Sequence, residues 1–519
     1  MMKNKLKLNK KLYHLISAIV LFFLLFIALI SMISVKETLP TIEKWKIFSI
    51  ELNGPSDGNP YTDVKLTAIF KHKKKEVKVT GFYNGNGKYI IRFSPDLEGK
   101  WIYQTFSNIN ELTDKCGSIN CIKTSPYNHG PVKIINKYYF NYADGTPYFS
   151  VGTTCYAWIH QPKELQELTL KTLSSSPFNK LRMCIFPKSY IYNTNEPEIF
   201  PFVRNADSTF DFTKFNPVFW NNLEERIVEL DKLGIQADII LFHPYDRWGF
   251  STMDSISDIR YLRYAIARLA VYKNVWWSLA NEFDFMTIPV RKNLSGNKHM
   301  EDWDKFFKLI QNEDPYQRLR SIHNGKIWYD HTKEWVTHAS IQSSNLEKGI
   351  DLRKKYNKPI IFDECKYEGN IPNSWGKLTG QEMTRRFWIG AMNGCYVGHG
   401  ETILDPNDIL WWSKGGILKG ESPIRIAFFR NIMEKLPFDE MIPCRQDSNF
   451  IVLSKPGKIY LVYILKPSQI KLDLEGANDF SVEYIDTWNM KIMKLKNVKT
   501  GEFIYNALNS DILLRIIAN

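Results

Sequence analysis

Two apolar runs in this sequence end on a glutamate. One is Val275-Trp-Trp-Ser-Leu-Ala-Asn281-Glu282, the other Pro359-Ile-Ile-Phe-Asp363-Glu364. Runs rich in aromatic and β-branched residues read as buried strands, so each carboxylate sits where its strand leaves the core. Two carboxylates delivered to one place suit acid–base and nucleophilic chemistry at an acetal carbon. One must stay protonated to give its proton to a leaving oxygen, and the other must be ionised to attack. Simple alternation puts Trp276, Ser278, Ala280 and Glu282 on one face, and Ile360, Phe362 and Glu364 on one face. By the same rule Asp363 points the other way and reads as structural, and Asn281 reaches the site only if the strand end bulges. Asp284 lies past the strand end and reads as a loop residue.

Such a pair needs parallel strands that open on a common mouth. Between residues 136 and 436 eight segments read as strands: 148–156, 179–186, 236–243, 275–282, 319–323, 335–340, 359–364 and 395–400. Amphipathic segments at 221–233, 258–272, 303–312 and 381–393 lie between them. That pattern predicts a catalytic (β/α)8 TIM barrel with its site at the C-terminal ends of the strands. A doubly wound open sheet is the alternative, but no Gly-rich phosphate loop follows an early strand. The strand ends deliver Arg182, His243, Tyr245, Asn281, Glu282, His323, His338, Glu364 and Glu401, with Trp411 and Trp412 in the loop beyond. A set this polar with adjacent tryptophans suits a polyhydroxylated substrate. Arg182 is expected to hold Glu364 ionised, and strands four and seven lie across the barrel mouth, consistent with the roughly 5 Å between carboxyls of retaining glycosidases.

The flanks read as β. Short strands and an Asn84-Gly-Asn-Gly turn over residues 42–130 predict an N-terminal β-sandwich, and residues 443–519 a C-terminal one. Residues 1–14 are basic and 15–35 uncharged, roughly the length that spans a bilayer. The lysines precede the apolar run, which predicts a single-pass transmembrane signal-anchor with everything after it outside the cytoplasm, or a secreted protein if the segment is cleaved as a signal peptide. The net charge of +13 is partly concentrated before that segment and in the cluster Lys71, Lys73, Lys74 and Lys75. No basic stripe with interleaved aromatics appears, so nucleic acid is not an expected partner; protein partners are left open. Among the seven cysteines, Cys116 and Cys121 bracket a short loop and are able to pair in an exported domain. No metal-ligand spacing and no cofactor motif stands out.

Asn281-Glu282 after strand four, Glu364 after strand seven and Arg182 on strand two resemble the clan A, or 4/7, glycoside hydrolases. Asn53-Gly-Pro, Gly81-Phe-Tyr-Asn-Gly, Gly99-Lys-Trp, Trp412-Ser-Lys-Gly-Gly and Ile485-Asp-Thr-Trp-Asn-Met are similar to a largely uncharacterised bacterial group within that clan. The resemblance implies Glu282 as acid/base and Glu364 as nucleophile of a retaining glycosidase. It also implies Asn281 on the sugar hydroxyl beside the reacting carbon, His338 near the nucleophile, and Trp411 or Trp412 under the sugar. A non-catalytic envelope carbohydrate-binding protein and a transglycosylase using the same glutamates are the alternatives.

Overall fold

The computed structural model describes residues 10–23, 39–290, 294–407, 410–445 and 447–519. Its centre is eight parallel strands: β1 (Val151–Thr154), β2 (Lys180–Cys184), β3 (Gln236–Phe242), β4 (Val275–Ala280), β5 (Arg320–Ser321), β6 (Ala339–Gln342), β7 (Ile360–Glu364) and β8 (Tyr396–His399). They pair in the order β5-β4-β3-β2-β1-β8-β7-β6, and a parallel bridge between His323 and Ser340 joins the two ends. The sheet is therefore a barrel and not an open doubly wound layer.

Helices α1 (Lys163–Ser174), α2 (Pro217–Lys232), α3 (Ser255–Leu269) and α4 (Met300–Glu313) follow the first four strands. Then α5 (Gly349–Tyr356), α6 (Gly380–Met392) and α7 (Ser422–Met433) follow the last three. Local sequence sets their ends. Asn216 accepts the Val218 N–H at 3.1 Å with Pro217 as first helical residue, Asp254 accepts from Ser257 at 2.7 Å, and Thr379 accepts from Glu382 at 3.1 Å. In α2 the apolar face Phe219, Trp220, Leu223, Ile227 and Leu230 is buried, each large side chain contributing about 2 kcal/mol over exposure. No helix follows β5. There the chain is tied down by Asp284, which accepts from the backbone N–H groups of Gly325 (2.5 Å), Lys326 (2.8 Å) and Ile327 (3.0 Å), and Tyr329 stacks on Phe307 of α4. The hairpin Val132–Ile135/Tyr139–Tyr142 closes the barrel floor, where Phe140 packs on Trp276, His338 and Tyr396.

The N-terminal domain has a five-stranded and a three-stranded sheet around Phe70, Ile91, Phe93, Trp101 and Ile119. Arg92 bolts it to the barrel: Arg92 and Arg268 of α3 both bond Glu224 of α2, at 2.8 and 2.6 Å. Burial opposes ionisation of Glu224, but the two guanidiniums outweigh it and hold its carboxyl below the ordinary range. Cys116 and Cys121 lie on one strand, Cys116–Ile122, not across a loop. Five residues of extended chain put them on opposite faces, Cys116 exposed and Cys121 buried, and both thiols are free.

The C-terminal domain is one hydrogen-bonded sheet instead of two separate ones. The strand Ser468–Asp486 pairs first with Val498–Ala507 and then, after a register shift between Leu474 and Asp479, with Ile512–Ala518. A single strand thus serves both layers. Alternation sends Val452, Val462 and Leu514 into this domain's own core and Leu453, Leu461 and Leu513 against the barrel, where Arg385 of α6 pairs with Asp511 at 2.6 Å. A helix covers residues 10–23, but residues 24–35 of the expected membrane segment lie outside the described residues. Among the described residues no helix is long and apolar enough to cross a membrane.

Candidate active site

Glu282 and Glu364 line one pocket of about 530 Å³ at the C-terminal mouth of the barrel. They reach it by different local devices. β4 pairs with β3 and β5 without a register shift through Ala280, so the expected bulge before Asn281 is absent. Instead Glu282 takes a left-handed backbone, φ +52°, uncommon for a residue with a Cβ. This breaks alternation and leaves both side chains in the pocket. The register shift occurs between β6 and β7, where Gln342 pairs with Glu364. It turns Asp363 inward as well, contrary to its parity in the sequence. Gly398 of β8 makes room: a Cβ there would lie 2.6 Å from the Asp363 carbonyl oxygen.

Glu282 is buried and accepts from the phenol of Tyr245 and from Asn281 Nδ2 at 3.3 Å. With its amide turned to donate, Gln342 reaches Glu282 Oε1 at 3.3 Å. Burial, then the nearby Glu364 charge, push the Glu282 carboxyl up to about 7, against the pull of Lys188 and Tyr245. Glu364 has other company. The phenol of Tyr156 donates to it, Arg182 Nη1 stands 3.9 Å from Oε1, and His323 Nε2 is also at 3.9 Å. Burial and then the Arg182 charge hold His323 well below its ordinary pKa, so it is neutral. Asn281 joins the two halves, its Oδ1 2.9 Å from Tyr156 Oη and 3.4 Å from Arg182 Nη2.

Beneath Glu364 lies a buried ionic layer. Lys180 Nζ is 2.7 Å from both Asp238 and Asp363, Arg182 Nε is 3.6 Å from Asp238, and Ser340 donates to Asp363 at 2.5 Å. Burial opposes the Asp363 charge, but Lys180 and Arg182 overcome it and hold its carboxyl far below the ordinary range. Burial also opposes the Arg182 charge, but Asp363, Asp238 and Glu364 keep that guanidinium protonated.

The pocket wall is aromatic. Trp412 meets Tyr156, Tyr190, Tyr192, Tyr367 and Trp375 with ring centroids 5.1–5.9 Å apart. Lys188 Nζ lies over the rings of Tyr156 at 3.6 Å and Tyr245 at 4.3 Å, and burial pulls its ammonium below the ordinary lysine pKa.

Of the residues singled out in the sequence, Tyr245, Asn281, Glu282, Glu364 and Trp412 line this pocket, and Arg182 and His323 support it from below. The others lie elsewhere. His243 bonds the Phe186 carbonyl at 3.1 Å and accepts from the Tyr245 N–H at 3.2 Å, so it shapes the loop and not the cavity. His338 packs in the barrel floor on Trp276, too deep to touch Glu364. Trp411 is buried with its indole N–H on Thr153 at 2.9 Å. Glu401 accepts from the N–H groups of Lys419 (2.8 Å) and Gly420 (2.7 Å) and clamps the segment entering α7, beside Glu368, which accepts from Glu421 at 2.6 Å and Ser422 at 3.1 Å. Burial pushes the Glu401 carboxyl up to about 7. Glu368, His399 and Glu401 bring ligand atoms within 4.8 Å of one another, the one such cluster among the described residues. Their carboxylate oxygens are already occupied by backbone donors. Sequence reasoning missed Lys188, Tyr156, Tyr190, Tyr192, Tyr367 and Trp375. All of them lie beyond the strand ends, Tyr156 two residues past β1, where periodicity carries no signal.

The profile of the apiosidase-like catalytic domain matches residues 135–404, and that of DUF5060, a domain of unknown function, residues 41–108. No curated protein matches the chain. Among solved structures, a protein from Bacteroides vulgatus ATCC 8482 classed as a glycoside hydrolase is 36% identical with a TM-score of 0.84, over 92% of this chain and 99% of that one. A family 5 glycoside hydrolase from the same strain is 14% identical with a TM-score of 0.60, over 76% of this chain and 95% of that one, and shares the fold. With more than half its length in the matched catalytic domain, the chain belongs to the apiosidase-like family, and it is a glycosidase.

Proposed function

We propose that the protein is a retaining glycoside hydrolase that works by double displacement, with Glu282 as acid/base and Glu364 as nucleophile. The observation that carries this reading is the asymmetry of the two carboxyls within one pocket. Glu282, pushed up to about 7, keeps its proton in a substantial share of molecules at neutral pH, whereas Glu364 faces the Arg182 guanidinium and the Tyr156 phenol. Glu364 attacks the anomeric carbon while Glu282 protonates the departing oxygen; water, deprotonated by Glu282, then releases the sugar with its configuration retained. Asn281, which contacts both halves, is placed to meet the hydroxyl beside the reacting carbon. A binding protein has no need for two buried carboxyls in such unlike surroundings. A transglycosylase would use the same residues and differ only in the acceptor.

The substrate in this reading is an oligo- or polysaccharide outside the cytoplasm, with the chain tethered to the membrane by its N-terminal segment. The basic residues before the uncharged run 15–35 support that placement. The family name makes apiosides one class to include in a screen. The test is turnover of a glycan panel by wild type, Glu282→Gln and Glu364→Gln, with NMR of the first anomer released. Retention is expected, and both variants should lose at least about a thousandfold in kcat/KM. Inversion, or full activity in either variant, would refute the assignment. Recovery of the full-length chain in the soluble fraction of its host would refute the tether.

A further inference from the structure

The pocket is closed on the side of the nucleophile. A sugar attacked by Glu364 directs its leaving oxygen, and so the rest of the chain toward the reducing end, to Glu282. Any residues preceding that sugar would have to run the other way, past Glu364. That way is walled. Trp412, Tyr367, Trp375 and Tyr192 stand there in mutual ring contact, and the Tyr192 phenol, from the loop after β2, donates to Asn373 Oδ1, from the loop after β7, at 3.1 Å.

The wall is braced from behind. Tyr190 Oη donates to Ser413 Oγ at 2.7 Å and Ser413 Oγ to the Tyr192 carbonyl at 3.2 Å, which ties the loop after β2 to the loop after β8. Tyr156 and Ala157 N–H groups bond the Trp412 and Ser413 carbonyls at 3.1 and 2.8 Å. The Tyr367 N–H bonds the Trp375 carbonyl at 2.7 Å, fixing the two aromatic residues of the β7 loop against each other. Tyr245 stands on Glu282, and the remaining edge of the pocket, Gln342, Ser343 and Ser344, is polar. About 530 Å³ is the size of a compact ligand site.

We infer that the enzyme is exo-acting and removes one sugar residue at a time from the non-reducing end of its substrate. This rests on the assignment of Glu282 and Glu364 above. The bond broken is the C1–O bond of the terminal residue. Its oxygen leaves with the shortened chain carrying the proton from Glu282, and water supplies hydroxide to C1 and returns a proton to Glu282. The bridge between Tyr192 and Asn373 is what distinguishes this pocket from a cleft.

The test uses the full chain and a set of neutral and acidic oligosaccharides labelled with 2-aminobenzamide at the reducing end, with products followed by mass spectrometry at low conversion. Each labelled substrate that reacts should first lose one residue. A first labelled product shorter by two or more residues, formed by wild type and abolished in Glu364→Gln, would overturn the exo assignment while leaving the glycosidase reading intact. Absence of cleavage across the set would count against both. Opening the wall with Asn373→Ala/Trp375→Ala should raise the share of multi-residue losses by about tenfold or more. Tyr192→Phe, which removes only the bridging hydroxyl, gives a second variant that keeps the ring packing and should shift the products the same way. Unchanged product patterns in both folded variants would show that the wall does not set the mode of attack.

Discussion

Glu282→Gln should stabilise the protein at alkaline pH while abolishing its activity. The wild-type carboxyl moves from an ordinary 4.5 in the unfolded chain to about 7 in the fold. A raised carboxyl means that the folded state holds the proton more tightly than the unfolded one. Stability is therefore lost as pH rises from about 4.5 to about 7, and the loss is complete above that. At about 1.4 kcal/mol per tenfold change in proton affinity, ionising Glu282 costs the fold about 3 kcal/mol at most. Glutamine has nearly the same shape and nothing to ionise, so it escapes that cost. Its amide meets Tyr245, Asn281 and the open pocket equally at every pH, so any packing penalty is a constant offset. Between pH 5 and pH 8.5 the variant should gain about 2–3 kcal/mol relative to wild type, or about 4 °C or more in the Tm of the barrel transition. Scanning calorimetry of both proteins at the two pH values reads this directly. A difference in Tm that stays the same at pH 5 and pH 8.5 would show that Glu282 is not the raised group.

Other expectations follow from the same side chains. In wild type kcat/KM should fall as pH rises through about 7, where Glu282 loses its proton. Lys188→Met removes a cation that lowers that pKa, so the alkaline limb should move to higher pH; a profile with an unmoved limb would show that Lys188 does not act on the acid. Lys180→Met leaves Asp238 and Asp363 with Arg182 alone, a broken buried ion pair costing about 3–5 kcal/mol. Chemical denaturation should show that loss, and adding Asp238→Asn should recover part of it. Alkylation of the unfolded, unreduced chain should modify both Cys116 and Cys121, whereas protection of the pair would contradict the strand geometry.

The architecture was legible because period and length agreed. Eight apolar segments with amphipathic helices between them leave little choice once each strand is buried on both faces, and all eight expected strands are present. Parity was a weaker guide at the strand ends. It placed Glu282 correctly although the chain leaves the strand there in a left-handed turn, and it placed Glu364 correctly for a reason that does not operate. The β6–β7 register shift admits Glu364 and Asp363 together. His338, Glu401 and Trp411 were polar or aromatic at the right distance from a strand end, yet depth in the barrel and local backbone donors decide where they sit. The aromatic wall was illegible for the opposite reason: Tyr190, Tyr192, Tyr367 and Trp375 belong to loops that meet only in the folded chain.

The site divides into a charged floor and an aromatic wall, and the two set different properties. In the floor Lys180 and Arg182 face Asp238 and Asp363, two cations against two anions, before Glu364 is counted. Glu364 therefore meets cations already shared with Asp238 and Asp363, and it is held by direct contacts with Tyr156 and Arg182. Lys188 supplies the remaining cation from the wall, stacked on Tyr156 and Tyr245, the two phenols that bond Glu364 and Glu282. Burial, then the neighbouring Glu364, push the Glu282 carboxyl up against the pull of Lys188. The raised Glu282 carboxyl thus follows from its burial and from its neighbours at the strand ends. The extent of substrate admitted is a property of the wall, so loop substitutions that reshape it should change what is cleaved without changing how.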